Sequence, residues 1–233
     1  MPRSNTIEDL ASAVAPIERE TLNDRVYREL KNSIMAGAFK PGSELTLRSV
    51  AGALGTSFMP VRDAMRRLVA ERALEMRPSR TIAIPVLSGD EFLELRRIRL
   101  LLEGEAVALA AKKISPRQLN NLRTILKKLD GLDRERRGQF WALNLKLHFS
   151  IYEVAASPLL LSIIESLWLQ IGPLLTRVPI SRALKGSADP HHLLVQALEQ
   201  HDPVAARAAL EADLTEATEQ VMKELARQQA IRT

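Results

Sequence analysis

Apolar positions recur at helical spacing along most of the chain, and the sharpest instance lies early. Between Ser57 and Ala73, the residues Val61, Ala64, Met65, Leu68 and Val69 fall at i, i+3, i+4, i+7 and i+8, a full stripe of a helix. Ser57 stands before the stripe as N-cap, and Pro60 is tolerated in a first turn whose N–H groups need no partner. Arg62, Arg66 and Arg67 lie on the other side, with Ser57, Phe58 and Met59 pointing outward at the tip. A shorter amphipathic piece, Leu45 to Leu54, comes before it and closes on Gly55-Thr56. Two short helices joined by a glycine turn, the second with a basic outer face, predict a helix-turn-helix. Ser57 to Ala70 is then the helix that enters the major groove.

The flanking pattern completes two units. Residues 1–21 lack periodicity and read as a flexible arm. Leu22 to Met35 carries Val26, Tyr27, Leu30 and Ile34 on one face, and Gly37 stops it. Leu74–Met76 and Thr81–Ile84 read as two short strands around Arg77-Pro78-Ser79-Arg80, a wing beside the helices. Pro85 to Gly89 is a linker, and Ser88 with Glu91 is a capping box that opens a long helix. Beyond it the reading is five helical segments and no strand. The breaks fall at Ser115-Pro116, the charged 130–138 stretch, Ser157-Pro158, Pro179 to Pro190 and Asp202-Pro203. Each proline sits where a first helical turn accepts it. The fold expected is mainly α: an N-terminal winged helix-turn-helix over 22–87, then an all-α antiparallel helical bundle over 88–228.

Composition narrows the class. An apolar fraction of 46% over 233 residues supports a real core, in one large domain or two modest ones. The chain has no cysteine, which excludes disulfides and thiolate metal sites and suits a reducing cytoplasm. The N-terminus has no apolar run flanked by basic residues, so no secretory signal is expected. Leu159 to Leu175 is greasy but interrupted by Glu165, Gln170 and Pro173, which favours a buried helix over a membrane span. Within 22–87, eleven Lys and Arg stand against six Asp and Glu, so that segment carries the whole net charge of +5. This places phosphate contact in the N-terminal part, although a solvated basic face has the same charge signature.

Three polar interruptions of apolar stripes mark a second site in the bundle. Asn144 and His148 fall on the face of Trp141, Leu145, Tyr152 and Ala155. His191 is in phase with Leu194, Val195 and Leu198, whereas His192 faces Gln196 and Glu199. Arg99 lies on the stripe of Phe92, Leu95, Leu102 and Ala106. Buried polar groups need partners. An imidazole four residues from an amide, with another on a facing helix, can hold a metal through N and O ligands. A buried arginine offers a fork to a carboxylate. The plainer readings stay open: satisfied core histidines, and an internal Arg99–Glu103 pair at i, i+4. His201 reads as a surface residue at a helix start.

With these residues in view, the first part resembles the GntR family of bacterial regulators. The resemblance is carried by Val26-Tyr27-x-x-Leu30-x-x-x-Ile34-x-x-Gly37, Pro41-Gly42-x-x-Leu45, Val50-Ala51-x-x-Leu54-Gly55 and Pro60-Val61-Arg62-Asp63-Ala64. The second part is similar to the FCD ligand-binding domain of the FadR subfamily, in Arg99-x-x-Leu102-Glu103, Asn144-x-x-x-His148, and His191 with Asp202. The match runs through roughly residues 22 to 225 in family order.

The resemblance implies a homodimer on a pseudo-palindromic operator in double-stranded DNA, with half-sites about one turn apart. Contacts would come from Arg48, Ser57, Phe58, Met59 and Arg62, with Arg66, Arg72 and Arg80 as further phosphate ligands. It also implies a divalent metal ion of the Zn, Ni or Mn class and a small carboxylate effector that completes the metal shell or meets Arg99, near Trp141 and Tyr152. Metal-binding members use an Asp or Asn and three histidines. Asn144, His148 and His191 match, and Asp213 stands where the third histidine would be; a carboxylate still ligates and favours harder ions. Other departures are Phe58, where the family often has Arg, Thr81 at the wing glycine, and Arg72 at the glycine after Glu71.

The function expected is a cytoplasmic, ligand-responsive repressor released by a small organic acid. The alternative is a constitutive DNA-binding dimer with a degenerate, metal-free pocket. An enzyme using His148, His191 and Asp213 to activate water lacks a dedicated general base and leaves the reading head without a task.

Overall fold

The computed structural model describes residues 21–78, 81–132, 136–175 and 189–232. The N-terminal arm and Arg80 lie outside them. The head begins with α1 (Leu22–Met35), which opens on a capping box: Thr21 accepts from the Asp24 N–H while Asp24 accepts from Thr21. Then come β1 (Glu44–Leu45), α2 (Leu47–Leu54), α3 (Phe58–Ala70), β2 (Glu75–Met76) and β3 (Ile82–Ala83). Val26, Leu30 and Ile34 of α1 are buried with Val61, Ala64, Met65 and Leu68 of α3, so the two predicted stripes form one core. Gly55 closes α2 at φ +60°, a left-handed conformation that a Cβ disfavours.

The wing is a three-stranded antiparallel sheet in the order β1-β3-β2, with both Glu44 and Glu75 opposite Ala83. Its hairpin is shorter than expected, and it has a strand the apolar pattern did not predict. Leu45 does not open the second helix. Thr46 caps α2 in a box with Ser49, and Leu45 pairs with Ile82.

Among the described residues the body has helices and no strand. It comprises α4 (Gly89–Lys113), α5 (Pro116–Asp130), α6 (Arg137–Tyr152), α7 (Pro158–Leu175), α8 (Pro190–Glu199) and α9 (Pro203–Arg232), with a single 3-10 turn at Glu153–Ala155. The breaks at Ser115-Pro116, Ser157-Pro158 and Asp202-Pro203 hold, whereas most of the Pro179 to Pro190 stretch and part of 130–138 lie outside the described residues. The described residues form six helices rather than five segments. Four of these helices begin with proline, whose missing N–H is harmless there. The long α4 is central: α9, α7, α6 and α8 all pack on it. His201 is more than a helix-start residue, because its Nδ1 lies 2.8 Å from the Ala111 carbonyl and ties the α8–α9 turn to α4.

Head and body meet where α1 crosses α7. A Cβ on Gly172 would lie 2.4 Å from the Met35 carbonyl oxygen and 2.7 Å from that of Ile34, so only glycine permits this approach. Beside it, Lys31 Nζ pairs with Glu165 Oε2 at 2.6 Å. Among the described residues α7 is also the one helix long and apolar enough to cross a membrane. Its polar side chains are nevertheless committed within the protein, Glu165 to Lys31 and Trp168 to Glu103.

Candidate functional site

Two surfaces carry chemistry, and the first is the outer face of α3. Packing its apolar stripe on α1 leaves Ser57, Phe58, Met59, Arg62 and Arg66 exposed, and Arg48 of α2 is exposed as well. Phe58 and Met59 are 52% and 59% accessible, large apolar side chains at a helix tip that the head does not cover. Ser57 occupies the N-cap position, yet its hydroxyl makes no capping bond. Among the described residues none forms an ion pair with Arg48, Arg62 or Arg66.

The neighbouring arginines differ. Arg67 bonds Glu71 through Nε at 3.1 Å and lies 3.6 Å above the centre of the Tyr27 ring, while the Tyr27 hydroxyl donates to the same Glu71. Burial and the Glu71 carboxylate push the Tyr27 phenol above its usual range. Arg67 pairs with Glu71 rather than with Asp63 four residues before it, and Asp63 accepts from Asn23. Arg77 joins Glu75 and Glu44 across the wing. Arg72 is exposed and sits at φ 59°, the left-handed conformation for which the family pattern has glycine.

The second site is built by three helices. Asn144 and His148 are one turn apart on α6, His191 is in the first turn of α8, and Asp213 is on α9. His148 Nε2 lies 3.4 Å from Asp213 Oδ2, and His191 Nε2 lies 3.2 Å from Asp213 Oδ1. The three ligating atoms all fall within 4.8 Å of one another. Both Nε2 atoms are buried and lack a hydrogen-bond partner among the described residues. Orphaned donor atoms converging at 3.2–3.4 Å fit a cation: bonds of about 2.0–2.1 Å in a tetrahedral shell separate neighbouring ligands by roughly 3.3 Å. Asn144, 5% exposed, lies one turn before His148 on the same helix. The centre is closed on the His148 side and opens slightly toward His191 and Asp213, whose side chains are 12% and 18% exposed.

Electrostatics bind the set together. Burial alone would lower the His191 imidazole, but the Asp213 and Asp189 carboxylates outweigh it and raise it to about 9. Burial would raise Asp213, but His191, His148 and Arg99 hold it at about 2.

Behind His148 lies a buried polar cluster. Glu103 on α4 is completely buried and accepts four bonds: Arg99 Nε at 2.6 Å and Nη2 at 3.1 Å, the Tyr152 hydroxyl at 2.5 Å, and Trp168 Nε1 at 3.0 Å. The Tyr152 hydroxyl is also 3.1 Å from His148 Nδ1. Of the two readings the spacing allowed for Arg99, the internal pair with Glu103 is the one formed. Nε and Nη2 of Arg99 and the Tyr152 hydroxyl, in residues predicted for an effector, are therefore engaged within the bundle. Trp141, also predicted for the effector, keeps a buried Nε1 with no partner among the described residues.

Sequence reasoning missed Glu103 as a hub, Trp168, and Asp189. Asp189 caps α8 through the His191 N–H at 2.8 Å and places its carboxylate 3.2 Å from His191 Nδ1. An Asp-Pro pair before a helix was the available signal for Asp189; an i, i+4 Arg–Glu spacing was the signal for Glu103.

Comparison with known proteins divides the chain into two matched segments. The family description "Bacterial regulatory proteins, gntR family" matches residues 22–84, and "FCD domain" matches residues 94–216. The HTH-type transcriptional regulator McbR of Escherichia coli is 34% identical over 82% of this chain and 88% of that protein. A probable D-xylose utilization operon transcriptional repressor of Paenarthrobacter nicotinovorans is 29% identical over 83% of this chain and 86% of its own length. The solved structure of E. coli McbR/YncC superposes with a TM-score of 0.78 at 33% identity, covering 90% of this chain and 99% of that one.

Proposed function

We propose, for a chain that belongs to the GntR family of bacterial regulators and carries its FCD domain, a repressor whose grip on DNA is released by a small carboxylate bound at a divalent cation in the helical body. Members of the family are transcriptional regulators rather than enzymes, and this chain is one of them. It binds double-stranded DNA through the α3 face, as a homodimer on a pseudo-palindrome in the cytoplasm. Arg62 is one turn into the reading helix and donates to a phosphate or a guanine edge. Arg48 and Arg66 add phosphate contacts, Ser57 offers its hydroxyl, and Phe58 with Met59 meets base edges by apolar contact, such as a thymine methyl. Arg80, outside the described residues, adds a phosphate contact.

In the body, His148, His191, Asp213 and Asn144 hold the cation. When bound, a divalent ion supplies a Lewis-acidic point that an effector carboxylate can ligate. Trp141 Nε1 is the free donor for a second polar atom of that effector, while Arg99 and Tyr152 act from behind the shell. The single observation that carries this reading is the pair of buried, partnerless Nε2 atoms facing one carboxylate. Protein purified without chelators should contain about one Zn, Ni or Mn per chain by elemental analysis, and Asp213→Ala with His191→Ala should lose it. A metal-free wild type that gains no thermal stability from added cations supports the second reading, a constitutive DNA-binding dimer.

A further inference from the structure

His148 has two ring nitrogens, and only Nε2 faces Asp213. The other, Nδ1, lies 3.1 Å from the Tyr152 hydroxyl. A phenol has one proton, and this one is directed at Glu103 Oε2 at 2.5 Å. Glu103 has none to return: Arg99 donates twice, Trp168 once and Tyr152 once, which occupies the four lone-pair positions of a carboxylate. The Tyr152 oxygen is therefore an acceptor toward His148, and Nδ1 is the atom that carries hydrogen. A neutral imidazole protonated at Nδ1 has a bare lone pair at Nε2, which is the buried atom without a partner. Asp189 orients the His191 ring, its carboxylate 3.2 Å from Nδ1, so that Nε2 faces Asp213.

We propose that Tyr152, oriented by Glu103, is a positioning residue: it sets the His148 proton on Nδ1 and leaves Nε2 bare toward Asp213. The purpose of this arrangement rests on the cation reading above; the direction of the hydrogen bonds does not. Donors from α4, α6 and α7 converge on one carboxylate, and that carboxylate reaches the histidine through an interposed phenol. It is the outer-shell carboxylate–histidine device of metal sites with one extra link.

The experiment reads the proton. Nitrogen-resolved imidazole spectra of the full-length, metal-free protein at about pH 9, where an ordinary imidazole is neutral, are assigned with His148→Gln. They should show the His148 proton on Nδ1. In Tyr152→Phe, which keeps the ring and removes the hydroxyl, this preference should vanish and the Kd for Zn²⁺ should rise about 10- to 100-fold. Glu103→Gln is the second variant. Its amide can donate to Tyr152, turn the phenol proton toward His148 Nδ1 and drive the ring proton to Nε2. A wild-type ring protonated at Nε2 overturns the proposal. So does a Tyr152→Phe protein that melts lower but keeps its tautomer and its Kd for Zn²⁺. A wild type that binds no Zn²⁺, yet loses its Nδ1 proton preference in Tyr152→Phe, overturns the cation reading and upholds the assignment.

Discussion

At Arg72 the backbone is left-handed, φ 59°, and the side chain is exposed. A left-handed L-residue other than Gly, Asn or Asp costs about 1–2 kcal/mol. Arg72→Gly should therefore raise stability by about 1 kcal/mol, net of the greater freedom glycine gives the unfolded chain, read as a higher urea midpoint. The buried His191–Asp213 pair gives a pH signature. His191 is raised from 6.5 to about 9, so its stabilising contribution is full below pH 6.5 and fades as pH rises through about 9. Asp213 is lowered from 3.8 to about 2, so its contribution is full above pH 3.8 and fades as pH falls through about 2. The metal-free protein should be stabilised most by this pair between those windows and should melt progressively lower from pH 6.5 to 9. Asp213→Asn should flatten that alkaline decline. Cation affinity should run the other way, rising with pH across the same range as the His191 proton is displaced. Periodicity selected His191 over His192 and placed His148 inward, because a 3.6-residue repeat decides which side of a helix is dry. It could not reveal that Glu103 collects four donors, since an i, i+4 Arg–Glu spacing has the same form on a solvated surface.

Among the elements, α7 has the most demanding packing. Trp168 bonds Glu103 in the polar cluster, Glu165 pairs with Lys31 of the head, and Gly172 lies against the α1 carbonyls. One helix thus touches both the buried Glu103 cluster and the head. Gly172→Ala drives a methyl group into the Met35 carbonyl, so α1 must move. The expected loss is about 1–3 kcal/mol of stability, measured by chemical denaturation, together with a weakened effect of cation on DNA affinity. Helices and breaks were legible because prolines and capping boxes punctuate the stripes. The two-residue β1 was not, since Leu45 alone cannot show a period, and neither was Gly172. A glycine in a greasy run declares its role only once the backbone opposite is known.

For the whole molecule, the net charge of +5 resides in 22–87, and the His148, His191 and Asp213 group lies in the body. Arg66→Ala should weaken binding to all duplexes alike and reduce the salt slope of log K by about one. Arg62→Ala should cost about 1–3 kcal/mol where it reads a guanine. An effector can shift the equilibrium between head arrangements only through differential affinity for them. Coupling between centre and head would therefore appear as a change in DNA affinity. Fluorescence anisotropy of a labelled promoter duplex, at fixed salt, tests it with chelator-treated wild type before and after Mn²⁺ or Zn²⁺ and a panel of small organic acids. The predicted result is salt-sensitive binding whose Kd shifts with cation and at least one acid, and does not shift in the double variant His148→Ala, His191→Ala. A wild-type Kd indifferent to every cation and acid would contradict it.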